Sequence, residues 1–303
     1  MIFFISWSHS DPVYSDYYEA CNMLISPAGV SSGFKLGAWD KQPDRVMLDS
    51  GAYYYLTSTG PPVTQSSVFR KQLRMFRGVR SKTIFCHLDH PISPRDSSQV
   101  SAFLAVERTL GNACEFMELY RRHNLHKNPL LQPLAVIQGV DADSIRFCAG
   151  ELEKMGFELF GLGSLAPLYN PAEIMERIKV AAQVVGGENL HIFGISRLDV
   201  ISQLKKYRIR SLDSTRPIKA AIHNAVFYSN PFRTYGIDGS RNADRYPATL
   251  KEPLPCPCPT CREKTSLLLE TGSKKSTNAR ALHNYYHLVR HLTQSPPIPR
   301  TPQ

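Results

Sequence analysis

The chain has 303 residues, of which 42% are hydrophobic and 20% are charged, with a net charge of +10 and an isoelectric point near 9.3. This composition is typical of a globular protein and excludes a disordered chain. It contains no apolar run of the roughly 18 residues that a membrane-spanning helix needs. The excess of positive charge favours a polyanionic partner such as a nucleic acid.

The first residues, MIFFISWSHSD, have no basic leader, and their apolar part is too short for a signal peptide. The chain has seven cysteines, an odd number that agrees with reduced thiols. The sequence therefore predicts a cytoplasmic protein with no membrane association.

Short apolar runs alternate with amphipathic helical segments along most of the chain. The runs are IFFISW (2–7), RVMLDS (45–50), KTIFCHLD (82–89), QPLAVIQ (132–138), ELFGLGS (158–164), LHIFGIS (190–196) and IRSLDS (209–214). The helical segments are 66–79, 97–123, 141–157, 171–186 and 197–208. Runs that are apolar on both faces are typical of parallel strands covered by helices.

Seven such runs with helices between them predict an α/β fold, a (β/α)₈ TIM barrel rather than an open doubly wound sheet. No glycine-rich dinucleotide loop follows the first run, which weakens the alternative of a Rossmann fold. The eighth strand is expected between Ala220 and Tyr235, at AAIHNAVFYS. The predicted domains are a catalytic barrel (1–235), a small C-terminal zinc-binding appendage packed on it (236–295) and a disordered tail (296–303).

A metal site is predicted in the appendage. The segment CPCPTC holds three cysteines in six positions, and a histidine follows 22 residues later: Cys256, Cys258, Cys261 and His283. Three thiolates and an imidazole are the four ligands of a tetrahedral zinc site, and with no position left for water the zinc should be structural. His287 is the alternative histidine, and free cysteines in a proline-rich loop are the alternative to a metal site.

Polar residues end several of the apolar runs: Asp49, Asp89, Gln138 and Asp213. A single aspartate after a strand is often a turn or helix cap. A closed barrel, however, brings equivalent strand ends to one mouth, where its chemistry takes place. Two carboxylates in one pocket suit glycosyl transfer, in which one attacks the anomeric carbon and the other carries a proton. A metal-dependent hydrolase stays open as the alternative, although only His87 and His90 lie near the strand ends.

Several motifs occur in a fixed order: LDSGAY (48–53), HLDHPISP (87–94), VIQGVDADSIRFCAGELEKMGF (136–157), GLGSLA (161–166), HIFGIS (191–196), IRSLDST (209–215), CPCPTC (256–261) and LHN (282–284). In these motifs the sequence resembles the tRNA-guanine transglycosylases. That family consists of zinc-containing barrel enzymes that exchange guanine for a 7-deazaguanine base in a nucleic acid.

The resemblance implies a role for each matching residue. Asp213 corresponds to the nucleophile that expels guanine, Asp49 to the general acid/base, and Asp89 to the residue that reads the purine edge. Tyr53 is the candidate for stacking on the base. The rest of the base pocket corresponds to Gln138, Gly139, Gly161, Gly163 and Ser164, and the zinc ligands to Cys256, Cys258, Cys261 and His283.

The target nucleotide must leave its stack, and basic residues must hold the flanking phosphates. The candidates surround the nucleophile in sequence: Lys205, Lys206, Arg208, Arg210, Arg216 and Lys219. A solvated basic helix face is the alternative interpretation of this cluster.

The sequence lacks the N-terminal sheet and the threonine-arginine-rich element with which the tRNA enzymes recognise tRNA. It therefore resembles the DNA-modifying branch of the family, which implies DNA and a free 7-deazaguanine base as substrates. Exchange in tRNA is the first alternative, a non-catalytic zinc-containing accessory subunit the second, and a nucleoside hydrolase the third. A homodimer or modification-pathway proteins are candidate partners.

Overall fold

The computed structural model describes residues 1–57, 63–92 and 98–300. The chain forms two compact units. The first consists of Met1–His9 and Met23–Asp213, and the second of Ser10–Asn22 and Ser214–Gln303. Among the described residues, no helix combines the length and the apolar character needed to cross a membrane.

The first unit contains a closed barrel of eight strands that follow one another in chain order. The strands are β1 (Ile2–Trp7), β2 (Asn22–Ile25), β3 (Arg45–Leu48), β4 (Lys82–Cys86), β5 (Leu131–Ile137), β6 (Phe160–Leu162), β7 (Leu190–Ile192) and β8 (Ser211–Ser214). The paired strands run parallel, as between Val46 of β3 and Thr83 of β4. All seven apolar runs of the sequence lie in this barrel, so the predicted (β/α)₈ TIM barrel is confirmed.

The eighth barrel strand differs from the prediction. It is β2, a four-residue strand whose Met23 pairs with Ile5 of β1. The expected segment instead forms β9 (Ala225–Tyr228), which pairs antiparallel with β10 (Arg233–Ile237) in a separate three-stranded sheet completed by β11 (Thr249–Leu250). All four residues of β9 are buried, so the segment has the same apolar pattern as a barrel strand. Its antiparallel pairing depends on β10, which sequence pattern alone did not reveal.

Helices follow most barrel strands and begin at polar caps. They are α2 (Ala52–Thr57), α3 (Gln65–Phe76), α4 (Gln99–Arg122), α5 (Ala142–Lys154), α6 (Pro171–Val185) and α7 (Leu198–Leu204). The Asp141 side chain accepts from the Ser144 backbone and closes a capping box on α5. Asn170 caps α6, and Pro171 occupies its first turn, where a missing N–H costs nothing.

The barrel interior is filled by one apolar cluster drawn from successive strands: Phe4, Leu24, Met47, Cys86, Leu134, Val136 and Leu159. Each of these side chains is less than 9% exposed. Burying each large one contributes about 1.5–3 kcal/mol. This packed layer holds the strands in register, and the polar residues that follow them therefore project from a rigid frame.

The second unit is built around a long helix, α10 (Lys274–Thr293), which Ser273 caps. It also contains α1 (Tyr14–Tyr17), α8 (Arg216–Ile222), α9 (Pro259–Glu263) and the small sheet. Arg280 of α10 is 1% exposed and donates to the Ala221 carbonyl at 3.2 Å and to Asn224 Oδ1 at 2.9 Å. Because these neutral acceptors pair the buried guanidinium, it joins α8 to α10.

The predicted domain boundary at residue 235 lies inside the second unit. Within the segment expected to be a tail, the Arg300 backbone donates to the Tyr17 carbonyl, and the Ile298 carbonyl accepts from the Glu19 backbone. Residues 301–303 of that segment lie outside the described residues, as do Ser93 and Pro94 of the HLDHPISP motif and Ser97 of the second predicted helix.

Candidate active site and metal centre

Asp213 lies near the end of β8, is 5% exposed and accepts hydrogen bonds from three other elements. Ser6 of β1 donates its hydroxyl to Oδ2 at 2.6 Å. Oδ1 accepts from the Gly194 backbone N–H at 2.8 Å and faces His191 Nε2 at 3.3 Å. These partners leave the buried carboxylate a fixed orientation, which an attacking group requires.

Asp49 follows β3 and sits in a tight turn with Ser50 and Gly51. Its Oδ2 accepts the Gly51 backbone N–H at 3.1 Å, and Gly51 adopts a φ of +80°, which favours glycine. Gln72 of α3 holds the turn from behind, because its amide donates to the carbonyls of both Leu48 and Asp49 at 3.0 and 3.1 Å. The DSG motif thus fixes a carboxylate at the strand end.

Asp89, Gln138 and Ser164 form a hydrogen-bonded chain across the ends of β4, β5 and β6. Gln138 is fully buried and donates to Asp89 Oδ2 at 2.6 Å, and its Oε1 accepts from Ser164 Oγ at 2.6 Å. Asp89 Oδ1 also accepts from Ser50 Oγ at 3.0 Å. Ser164 has a φ of +55°, a strained conformation for serine that such bonds must stabilise.

The three carboxylates converge closely enough to affect one another. The pKa of Asp89 is raised to about 6, chiefly by burial and then by the negative charge of Asp49. The pKa of Asp49 is also raised, chiefly by burial, with a further contribution from Asp213. Burial raises the pKa of the Cys86 thiol as well, and Asp49, Asp89 and Asp213 all add to that shift. Cys86, at the end of β4, is therefore close enough to all three carboxylates for their charges to act on it.

Glycines in the predicted base pocket allow close approach of neighbouring groups. A Cβ at Gly163 would collide with the Gln138 amide nitrogen, and one at Gly161 would collide with the Phe193 ring. A Cβ at Gly139 would lie 2.7 Å from Ile145 Cγ1. These positions require glycine for packing, whatever their role toward a ligand.

A cavity of about 510 Å³ opens beside Asp89, with His90, Arg108 and Tyr55 in its wall. A second cavity of about 920 Å³ is lined by the first residues of several strands, including Ile2, Lys82 and Ser211. That cavity lies at the N-terminal end of the strands, away from the carboxylates. Of the predicted site residues, only Asp89 lines the smaller cavity, and its other described lining residues come mainly from α2, α4 and the loop after β4.

Four of the predicted phosphate-binding residues precede β8, whereas Asp213 is near its other end. Lys205 and Lys206 form a single 3₁₀ turn after α7, and Arg208 and Arg210 lead into the strand. The structure thus places these four residues at the N-terminal end of the barrel. They are close to Asp213 in sequence, but they lie at the opposite end of strand β8 from it. Arg216 and Lys219 lie on α8, after the strand.

The predicted metal ligands come together in the second unit. The ligand atoms of Cys256, Cys258, Cys261 and His283 all lie within 4.8 Å of one another. The Cys258 and Cys261 sulfurs are 3.4 and 3.5 Å from His283 Nδ1. A tetrahedral zinc ion separates such ligands by roughly 3.5–3.8 Å. The donor set and its spacing therefore fit a metal ion.

The two histidines of α10 have different positions at this cluster. His283 Nε2 donates to the Phe227 carbonyl at 2.8 Å, which leaves Nδ1 free to bind a metal. His287 Nδ1 instead accepts the Ser229 backbone N–H at 3.0 Å, so its proton is on Nε2, which lies 3.2 Å from the Cys256 sulfur. The geometry therefore favours His283 as the candidate fourth ligand, with His287 placed to donate a hydrogen bond to Cys256.

Sequence reasoning missed Ser6, Gln72 and His191, which contact the candidate catalytic groups. Ser6 and His191 lie inside strands that were recognised, at positions where an inward-facing polar residue could have been noticed. Gln72 is fully buried in α3, the second helix after the DSG motif. A buried glutamine on an amphipathic helix is the signal that would have identified it.

The comparisons with known proteins agree with this geometry. The chain is similar to a tRNA-guanine(15) transglycosylase of Thermococcus kodakarensis, with 23% identity over 82% of this chain and 39% of that protein. It is also similar to a tRNA-guanine(15) transglycosylase of Methanosarcina mazei, with 24% identity over 80% of this chain and 48% of that protein. The chain thus spans less than half the length of either relative.

The family model described as queuine tRNA-ribosyltransferase matches residues 70–294, which is most of the chain and includes Asp89, Asp213 and the Cys₃His cluster. The chain therefore belongs to the queuine tRNA-ribosyltransferase family.

Proposed function

We propose that this protein is a base-exchange transglycosylase, a pentosyltransferase that replaces guanine in a nucleic acid by a free 7-deazaguanine base such as 7-cyano-7-deazaguanine. Asp49 and Asp89 follow β3 and β4, and Asp213 lies near the end of β8, at the same end of one closed barrel, and this placement is the observation that carries the proposal. Family membership supports the same reaction.

Asp213 is the proposed nucleophile. Its carboxylate attacks the anomeric carbon of the extruded nucleotide, the glycosidic bond breaks, and its electron pair leaves with the guanine. Asp49 supplies the proton to the leaving base and takes one from the incoming base. The raised pKa of Asp49 supports this role, because a group that must carry a proton near neutral pH has to hold it more tightly than an ordinary aspartate.

Asp89, with Gln138 and Ser164, is the proposed reader of the base. A carboxylate accepts two hydrogen bonds, and the guanine edge offers an amide N–H and an amino group. Gln138 and Ser50 each donate to one oxygen of the carboxylate and fix its orientation, and Ser164 in turn donates to Gln138. The backbone of Gly139 and of residues 161–164 completes the proposed pocket. Tyr53, which is 60% exposed on α2, is the proposed stacking residue, and the adjacent Tyr54 is equally exposed.

The Cys₃His cluster is the proposed site of one structural zinc ion. Three sulfurs and one imidazole nitrogen fill a tetrahedral shell, so no position remains at which a water could be activated. When bound, the zinc joins the CPCPTC loop to α10. It takes no part in the proposed exchange.

DNA is the proposed nucleic acid, with tRNA as the alternative. The connection after Asp213 is short, since α8 begins at Arg216. It has no room for the longer element with which the tRNA enzymes of the resembled family hold tRNA. The names of the two relatives favour tRNA instead. Arg216 and Lys219 are the remaining proposed phosphate contacts of the basic cluster.

The test is incubation of the protein with labelled guanine and either duplex DNA or tRNA, each with an unlabelled 7-deazaguanine as competitor. We expect label to enter DNA and the deazaguanine to block or replace it. Entry into tRNA alone would keep the reaction and refute the DNA substrate. Release of guanine without incorporation would indicate a hydrolase, and no change in either polymer would contradict the proposed function.

A further inference from the structure

The two oxygens of the Asp213 carboxylate have different surroundings. Oδ1 accepts the Gly194 N–H and faces His191 Nε2, whereas Oδ2 accepts the Ser6 hydroxyl as its one hydrogen-bond partner within residues 1–57, 63–92 and 98–300. A carboxylate oxygen has two lone pairs in the carboxylate plane. Both are therefore occupied on Oδ1, while one remains available on Oδ2.

The position of His191 is itself fixed. Its ring is fully buried, its Nδ1 lies 2.9 Å from Ser211 Oγ, and the Phe193 ring packs edge-on at 4.5 Å between centroids. Because Asp213 Oδ1 can only accept, His191 must present Nε2–H to it. Its Nδ1 then accepts the Ser211 hydroxyl proton. Ser211, His191 and Asp213 thus form a directed chain of hydrogen bonds between β7 and β8.

We propose that Oδ2 is the attacking atom of Asp213, and that His191, oriented by Ser211, is a positioning residue that keeps the glycosyl-aspartate intermediate short-lived. This inference rests on the proposed function. In the first step the bond from the anomeric carbon to Oδ2 forms as the bond to the purine nitrogen breaks. Oδ1 then becomes the carbonyl oxygen of a neutral ester.

The three donors stabilise the two states unequally. Hydrogen bonds to an ionised acceptor are roughly twice as strong as those to a neutral one. The free carboxylate therefore gains more from Ser6, His191 and Gly194 than the ester does. This difference favours departure of the carboxylate in the second step, when the incoming base displaces it from the anomeric carbon. Losing a donor shifts the equilibrium toward the covalent adduct and slows exchange.

The experiment compares the wild-type protein with His191→Leu and His191→Gln. Each is mixed with nucleic acid and a fixed concentration of guanine, and the adduct fraction at equilibrium is measured on denaturing gels. We expect His191→Leu to raise the ratio of adduct to free enzyme roughly three- to tenfold, which is the difference between a bond to the carboxylate and the weaker bond to the ester, and to slow exchange. His191→Gln, whose amide can replace Nε2–H, should restore most of the wild-type ratio.

Ser6→Ala and Ser211→Ala extend the test with smaller changes to the core. Ser6→Ala should raise the ratio as much as His191→Leu does. Ser211→Ala should raise it less, because it removes only the hydroxyl that orients the His191 ring. A residue with a merely structural role would lower adduct and exchange together. Suppose that the wild type forms the adduct and that neither His191→Leu nor Ser6→Ala has a higher adduct fraction than the wild type. This result would overturn the inference and leave the proposed function intact. A wild-type protein with no adduct would refute the proposed function as well.

Discussion

The Cys₃His cluster and the carboxylate site are built in opposite ways. The cluster draws three ligands from six consecutive residues and the fourth from one helix, so most of it is encoded locally. The carboxylate site joins residues up to 207 positions apart, such as Ser6 and Asp213, and exists only once the barrel has closed. A local site can be recognised from spacing, whereas a distributed site requires the fold.

The two sites also differ in what they contribute to stability. A metal ion in the cluster would bind the folded state and thereby stabilise it. The carboxylates do the reverse, because burial and mutual repulsion raise the pKa values of Asp49 and Asp89. Substitutions should therefore separate the regions: changes in the cluster reduce stability, and changes among the carboxylates reduce activity while stability is kept or improved.

The largest effect is expected for Asp213→Asn. The amide is a poor nucleophile, so exchange should fall at least about a thousandfold and the covalent adduct should disappear. Asp143→Asn, at a side chain that is 98% exposed on α5, is the matched control and should leave exchange unchanged. Exchange assays with labelled guanine measure both. Near-normal activity of Asp213→Asn would indicate that another residue is the nucleophile.

Cys258→Ser tests the metal region. The buried Cys258 sulfur is one of four ligand atoms, so its loss should abolish stoichiometric metal binding and lower the stability of the second unit by at least about 3 kcal/mol. Metal content and thermal melts measure the two effects. Cys114→Ser, at an exposed cysteine of α4, should change neither. Full metal content in Cys258→Ser would contradict the assigned ligand set.

Asp89→Asn should stabilise the protein in a pH-dependent way while weakening base binding. The pKa of Asp89 rises from an ordinary value of 3.8 to about 6 on folding, so ionisation of Asp89 opposes folding. The penalty is absent below pH 3.8, grows as the pH rises and is complete above pH 6, at up to about 3 kcal/mol.

Chemical denaturation of Asp89→Asn and wild type at pH 4 and pH 8 measures this difference. The variant should be more stable at pH 8 by an amount that nearly vanishes at pH 4. Asp143→Asn again serves as the control and should show no such trend. A variant that loses more stability at pH 8 than at pH 4 would indicate that the bonds from Gln138 and Ser50 outweigh the cost of burial.

The smallest effect is expected for His287→Leu. This change removes the N–H that faces the Cys256 sulfur but leaves all four ligands, so metal affinity should fall roughly 10- to 100-fold rather than being lost. Competition with a chelator measures the affinity. His287→Gln, which keeps a donor, should lie closer to wild type. A metal affinity as low as that of Cys258→Ser would indicate that His287 is itself a metal ligand.

Much of the barrel was predictable because its strands are apolar on both faces and separated by amphipathic helices. The prediction of the eighth strand was wrong for a physical reason. β2 and β9 both have four residues, but only β9 is buried at all four, so local pattern favours β9, although the strand order of the closed barrel requires β2. Pairing partners decide such cases, and a single sequence does not display them.

The candidate site was predictable where the residue type and its position after an apolar run indicate a chemical role. Asp49, Asp89, Gln138 and Asp213 were identified because polar residues end apolar runs. The residues that contact them were missed, because Ser6 and His191 act only through their contacts with Asp213 on another strand. Lys205 and Arg210 were grouped with Asp213 because of their closeness in sequence, which does not correspond to closeness across a strand.

The most direct test of the central claim is to map the covalent adduct. Wild-type protein is mixed with guanine-containing DNA or tRNA, denatured and digested with nuclease and protease, and the modified peptide is sequenced by mass spectrometry. The account predicts a pentosyl-phosphate group on Asp213, and on no other residue. A sugar attached to Asp49 or Asp89, or guanine exchange that proceeds with no enzyme-bound sugar, would contradict it.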